Sequence, residues 1–214
     1  MNRMMRSVLV LAIVLSTAFA PSSSPPSSRQ GPSYVYQFSE HLAESEASIV
    51  IPAREERMAQ WDGSQFAFAN LSPLFNVQPT TQSFNGEMRP GISILPVPEA
   101  TRRLRFARVT PGSKMLVYYG FQDTPEDKNA LPANVYLAVW AGRHLLARIA
   151  VPNKPGWNIT SMDLGVATFL LRDIVVTFDI TVDEKTKRTL VFNAEILPWL
   201  EPASPSSRID DPHR

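Results

Sequence analysis

Ile174-Val175-Val176-Thr177-Phe178-Asp179-Ile180-Thr181-Val182 is the most regular stretch of the chain. It places Ile174, Val176, Phe178, Ile180 and Val182 on one side and Val175, Thr177, Asp179 and Thr181 on the other. A period of two residues is that of a strand with one buried face. The charged run Asp183-Glu184-Lys185-Thr186 then turns the chain toward Leu190, Phe192, Ala194 and Ile196, which repeat the pattern. Working backwards, Leu145–Val151 pairs as a hairpin with Val135, Leu137 and Val139 across Ala141-Gly142-Arg143. Met115, Val117 and Tyr119 share one face of an earlier strand, with Leu116 and Tyr118 on the other. Leu104, Phe106 and Val109 define the strand before it, and Trp157, Ile159 and Met162 a short one after Pro152–Gly156. Residues 102–197 therefore read as many short strands with a turn every eight to twelve residues. That is the pattern of an all-β antiparallel β-sandwich of jelly-roll type.

The region before this block is less regular. Tyr34–Phe38 alternates as a first strand, and Glu40–Ser48 suits a short helix. Ser48–Ile51 is a short apolar run ended by Pro52, and Arg54–Gln60 suits another helical turn. Gln65–Ala69 alternates after the turn at Asp62-Gly63. Residues 70–101, rich in Pro, Asn, Gly and Ser, predict long loops with weak strands at Leu74–Val77 and Gly91–Leu95.

Both ends differ in composition from the middle. Arg3 and Arg6, the apolar run Val8–Leu15 and the small residues Ser16, Thr17, Ala18 and Ala20 form a secretory signal pattern over 1–20. The run is shorter than the roughly 20 apolar residues of a membrane span, so a transmembrane segment is expected only if the signal is an uncleaved anchor. Residues 21–33 read as a Pro/Ser-rich linker and 200–214 as a disordered tail. A single sandwich domain is expected over 34–199. The expected destination is outside the cytoplasm: periplasmic, extracellular or envelope-associated.

Composition excludes several classes. Lys+Arg 21 against Asp+Glu 20 gives no basic excess for nucleic acid or an anionic membrane. The absence of cysteine removes disulfides, thiolate catalysis and zinc–thiolate sites. The three histidines, His41, His144 and His213, fall in no nucleophile-elbow or paired-histidine zinc motif. Nine glycines include no phosphate-cradling loop. No cofactor is expected. A structural calcium ion at the acidic 123–129 loop is conceivable, but the spacing does not match a calcium-binding loop, and Lys128 sits within it.

A longer arrangement links the strands: Gly120-Phe121, a polar loop, Val139-Trp140-Ala141-Gly142-Arg143, Gly156-Trp157, Asp163-Leu164, Ile174–Val182 and Arg188–Ile196. In this order the chain resembles the galactose-binding-like jelly rolls and related carbohydrate-binding sandwiches appended to bacterial sulfatases, glycosyltransferases and glycoside hydrolases. The resemblance implies a two-sheet antiparallel sandwich, and binding only loosely.

The candidate ligand-binding residues are Trp140, Arg143, His144, Asp123 and Trp157. An aromatic ring can stack on the apolar face of a sugar, and Trp140 lies opposite the apolar parity of its strand, beside a turn. Trp157, before Asp163-Leu164, reads first as a core residue and only second as a stacking platform. Arg102, Arg103, Arg105 and Arg108 form a basic cluster, expected as a solvated strand with edge protection or, more sharply, as a contact for an anionic glycan. The expectation is an exported, non-catalytic β-sandwich that binds a carbohydrate or another envelope component. The alternatives are a structural or assembly protein of the envelope with a protein partner, and a small hydrolase.

Overall fold

The computed structural model describes residues 34–53, 56–122, 134–154, 156–165, 171–184, 186 and 188–199. The signal, linker and tail expectations, and Asp123 with its acidic loop, lie outside them. The strands before the regular block are β1 (Tyr36–Gln37), β2 (Glu46–Val50), β3 (Glu56–Met58), β4 (Gln60–Trp61), β5 (Phe66–Ala67), β6 (Gln78–Phe84) and β7 (Glu87–Ile94). Those within it are β8 (Thr101–Val109), β9 (Lys114–Gln122), β10 (Val135–Ala141), β11 (His144–Ala150), β12 (Asn158–Asp163), β13 (Ile174–Val182) and β14 (Thr189–Leu197).

The alternation over 174–182 is realised without a break: every second residue of β13 from Ile174 to Val182 is buried. β13 sits inside a six-stranded sheet of order β11-β10-β13-β8-β2-β3. The other large sheet runs β12-β9-β14-β7-β6, with β1 also paired to β14. All pairings are antiparallel, as the turn-rich pattern requires. Leu104, Phe106, Phe178 and Ile180 from one sheet meet Met115, Val117, Phe192 and Ile196 from the other in one buried cluster. Phe38 adds an aromatic junction, its ring 4.9 Å from Phe106 and 5.0 Å from Phe178, edge-on to both. The expected antiparallel β-sandwich is the fold observed.

Before the regular block the strands expected in Tyr34–Phe38 and Gln65–Ala69 are present as β1 and β5, but other segments depart from expectation. Glu40–Ser48 yields only the 3₁₀ turn Leu42–Glu44 before β2 begins, and Leu74 lies in a second one, Pro73–Phe75, rather than in a strand. Glu56–Met58 and Gln60–Trp61 are strands, not a helical turn. Gln78–Ile94 is a hairpin, β6–β7, whose second strand contains the expected weak strand at Gly91–Leu95 up to Ile94 and extends it back through the expected loop. Its turn is Asn85-Gly86, with φ of 54° and 82°, the two-residue turn whose twist suits a hairpin. Thr80, Thr81, Gln82 and Ser83 gave it no apolar stripe to read.

That hairpin does not stay in the plane of its sheet. β7 pairs with β14 only through Ile92, Ser93 and Ile94, and beyond them it folds across the outer face. Arg89 reaches over the ring of Tyr118 at 4.0 Å, although β14 lies between their strands. Phe84 rests on Gly120 of β9, where a Cβ would meet its ring at 2.9 Å. Trp157 packs edge-on against Phe84 at 4.7 Å and donates Nε1–H to Glu87 O at 3.1 Å. The outward residues Tyr118, Val191, Asn193 and Glu195 are consequently buried.

Arg103 and Arg105 face outward on β8 and are already paired. Arg103 holds Asp179 with Nε at 2.7 Å and Nη2 at 3.0 Å, and Arg105 holds Glu46 at 2.9 Å. β8 lies between β13 and β2, so it has no edge to protect. Arg102 shares the inward parity of Leu104 and Phe106 and is fully buried, which corrects the solvated-strand expectation. A register irregularity between Ile174 and Val176 brings Val109 inward and leaves Arg108 exposed.

Candidate functional site

One end of the sandwich is where β2 and β13 finish and β8 begins, since Val50 pairs with Thr101 and Ile180 with Arg102. A cleft of about 710 Å³ opens there. Ile49 and Ile51 form one wall, Leu71 and Phe75 another, and Val97–Thr101 with Thr181 and Val182 the rest. Apolar surface dominates, and Arg57, Glu99, Thr101 and Thr181 supply the polar groups. A mostly apolar concavity with a few polar side chains is the usual composition of a small-molecule site. A smaller depression of about 550 Å³, lined by Glu56, Met58 and Phe68 among others, shares Arg57 with it.

Backbone strain gathers at the rim. Glu99 has φ of 58°, Ala53 57° and Asn70 63°. Glu99 lines the cleft, Ala53 follows the lining residue Pro52, and Asn70 precedes Leu71. The left-handed region costs a residue with a side chain about 1–2 kcal/mol, least for asparagine. Such strain persists where surrounding structure enforces it, and binding sites are where it clusters.

Under the cleft lies Arg102. Its Nη2 donates to Phe75 O at 2.6 Å, and its guanidinium carbon stands 4.7 Å from the Phe68 ring centre. Burial pushes its pKa down from 12.5 to about 10.

The residues singled out from sequence do not converge here. Trp140, Arg143 and His144 share the β10–β11 hairpin, where Ala141 pairs with Val176 near the start of β13, the end away from Val182. Arg143 and His144 are exposed. Trp140 is half-buried opposite Thr177 and Leu145, with Nε1 buried and unpartnered. Trp157 is neither core nor a free platform: it is half-buried and braces the β6–β7 hairpin. Sequence reading passed over Phe75, Glu99, Thr101 and Thr181 because no motif joins them. For Arg102 the signal was present in its even-numbered parity with Leu104 and Phe106.

No family model matches the chain, and none of the curated proteins matches it. Among solved structures, it is similar to a carbohydrate-binding module of the β-sandwich superfamily, described for promiscuous specificity. The identity is 16% over 81% of this chain and 64% of that one, with a TM-score of 0.43. It is also similar to an adhesin domain of Lys-gingipain from Porphyromonas gingivalis, at 12% identity over 57% of this chain and 83% of that one, TM-score 0.38. A cyclase from Fischerella sp. matches at 12% identity over 59% of this chain and 77% of that one, TM-score 0.39.

Proposed function

We propose that this protein is an exported, non-catalytic β-sandwich that binds a saccharide in the cleft between the 49–52, 71–75, 97–101 and 181–182 segments. The observation that carries this reading is the lining itself. A pyranose offers an apolar C–H face and a rim of hydroxyls. Phe75, Ile49, Ile51, Leu71 and Val97 suit the first, while Arg57, Glu99, Thr101 and Thr181 suit the second. The volume accommodates one or two sugar rings within the usual range of about 300–1,000 Å³ for ligand sites. The secretory pattern over residues 1–20 supports a place in the periplasm or outside the cell, where glycans are accessible.

Affinity electrophoresis and calorimetry of the full chain against a panel of neutral and acidic saccharides test the reading. At least one sugar should bind, and Phe75→Ala should weaken it roughly tenfold or more, the cost of losing a stacking ring. If no saccharide binds, or Phe75→Ala binds as well as the parent, the cleft is not a saccharide site.

A further inference from the structure

Beneath the lining of the cleft lies a charge that has no counter-ion among the described residues. Arg102 is 0% exposed, yet its Nε and Nη1 are buried with no hydrogen-bond partner. The third nitrogen, Nη2, is satisfied only by a neutral carbonyl, that of Phe75. Burial is the influence that acts on its titration, with no carboxylate among the described residues contributing. Buried guanidinium groups are ordinarily paired, because desolvating a charge costs more than neutral acceptors return. Its neighbours place it at the cleft: Ile49 is its partner across the β2–β8 pairing, Thr101 precedes it, and both line the cavity with Phe75. The other arginines of the cluster do not share this state: Arg103 and Arg105 hold Asp179 and Glu46 on the outer face, and Arg108 is exposed.

We infer that Arg102 anchors an oxyanion on the ligand of this cleft, so that the saccharide bound there is an acidic one bearing a carboxylate or a sulfate. The inference rests on the saccharide reading of the cleft. An oxyanion that replaced Phe75 O at Nη2 would reach Nε or Nη1 at the same time, on one edge of the guanidinium or the other. Arginine makes its strongest contacts in that two-point geometry. The carbonyl in the way is held by that one bond to Arg102, on a turn at the surface. The Pro73–Phe75 turn buries none of its residues, and Leu74 is 74% exposed. The Ser72 hydroxyl accepts from Leu74 N at a long 3.4 Å. Shifting this turn uncovers the guanidinium without opening the core cluster formed by Leu104, Phe106 and Phe178. Arg57 and Glu99 line the cleft, so the ligand meets one charge of each sign on its walls, with the buried cation behind the Phe75 carbonyl.

The test uses the full chain with three probes: glucose, glucuronate and glucose 6-sulfate. Binding is followed by calorimetry and by the Arg102 Nε–H and cleft amide resonances. One or both acids should bind roughly 10- to 100-fold more tightly than glucose, the worth of a charge-assisted pair of hydrogen bonds. The Arg102 Nε–H signal should move, and the preference should vanish in Arg102→Met. Tighter binding of glucuronate alone assigns a carboxylate, and of the sulfate alone a sulfate ester. Glucose binding in the cleft as tightly as either acid overturns the inference and leaves the saccharide reading standing. So does an acid preference that survives Arg102→Met. If none of the three probes, nor any other sugar of the panel, moves the cleft resonances, both fail. The Nε–H signal of the parent protein keeps the test independent of how the variant folds: unmoved at saturating acid, it refutes the anchor.

Discussion

Arg102→Met should leave the protein as stable as the parent or slightly more so, although it replaces a fully buried side chain beside the core. Holding the guanidinium at a pKa of about 10 instead of 12.5 places about 3 kcal/mol against the charged form, at about 1.4 kcal/mol per pH unit. Opposing this are the hydrogen bond to Phe75 O, about 2 kcal/mol, and the ring contact with Phe68, about 1 kcal/mol. The unbranched methionine keeps the apolar part of the side chain in place. The terms nearly cancel, so the net change is within about 1 kcal/mol of zero, and buried charges replaced by apolar groups tend toward the stabilising side. The pH dependence follows from the sign. The folded pKa lies below the unfolded one, so the unfolded chain keeps its proton to higher pH. Below about pH 10 both states are charged, the whole cost is present, and the parent–variant difference is flat; above it the parent gains. Urea unfolding followed by tryptophan fluorescence measures this. Leu104→Ala, two residues along the same inward face, is the control and should lose about 2–5 kcal/mol. If Arg102→Met loses 3 kcal/mol or more, Arg102 is a structural brace and the argument for a stored, unpaired charge is wrong.

Three further expectations concern the rest of the sandwich. Asp62 accepts from Ser64 N and Gln65 N, both at 2.9 Å, and these bonds hold its carboxyl at about 2. Its stabilisation is thus complete above the ordinary carboxylate range and lost only as pH falls toward 2, and a carboxyl-carbon NMR titration giving an ordinary value near 3.8 would contradict this turn. Gly120→Ala should cost about 1–3 kcal/mol and expose Trp157, since a Cβ there would lie 2.8 Å from Gly156 O and 2.9 Å from Phe84; unchanged stability and an unshifted emission maximum would show that the β6–β7 hairpin does not lie on β9. Burial raises the Glu195 pKa, partly offset by Arg89 and by the Tyr118 hydroxyl. Ionised Glu195 therefore destabilises the fold at neutral pH, and Glu195→Gln should melt higher than the parent at pH 7 but not at pH 4; a lower melting point at pH 7 would refute it.

The strands β8, β10 and β13 were legible because they bury alternate residues against the opposite sheet, and β13 does so over its whole length. The β6–β7 hairpin was not, because it covers a sheet from outside and needs few apolar residues: Phe84 is its buried side chain at the tip, while Thr80–Ser83 face solvent or sit half-buried. Asn85-Gly86 was the available signal, and it was outweighed by the prolines at 79 and 90, which edge positions tolerate. The β3–β4 segment misled for a related reason: an exposed edge strand with Glu56, Arg57 and Met58 carries no burial period. Reading aromatic residues beside turns pointed to Trp140 and Trp157. The cleft instead draws on four segments and Arg57, distant in sequence, which only the sheet order brings together. Arg102 was readable by parity, but the basic run around it suggested solvent.

A residue-resolved amide shift map of the full chain, recorded during titration with saccharides, bears most directly on the cleft as a binding site. The expected result is shifts confined to Ile49–Pro52, Arg57, Leu71–Asn76, Val97–Thr101 and Thr181–Val182, with Arg143, His144 and Trp157 unmoved. Shifts centred on the Trp140 hairpin or on Trp157, or none at saturating sugar, would contradict it.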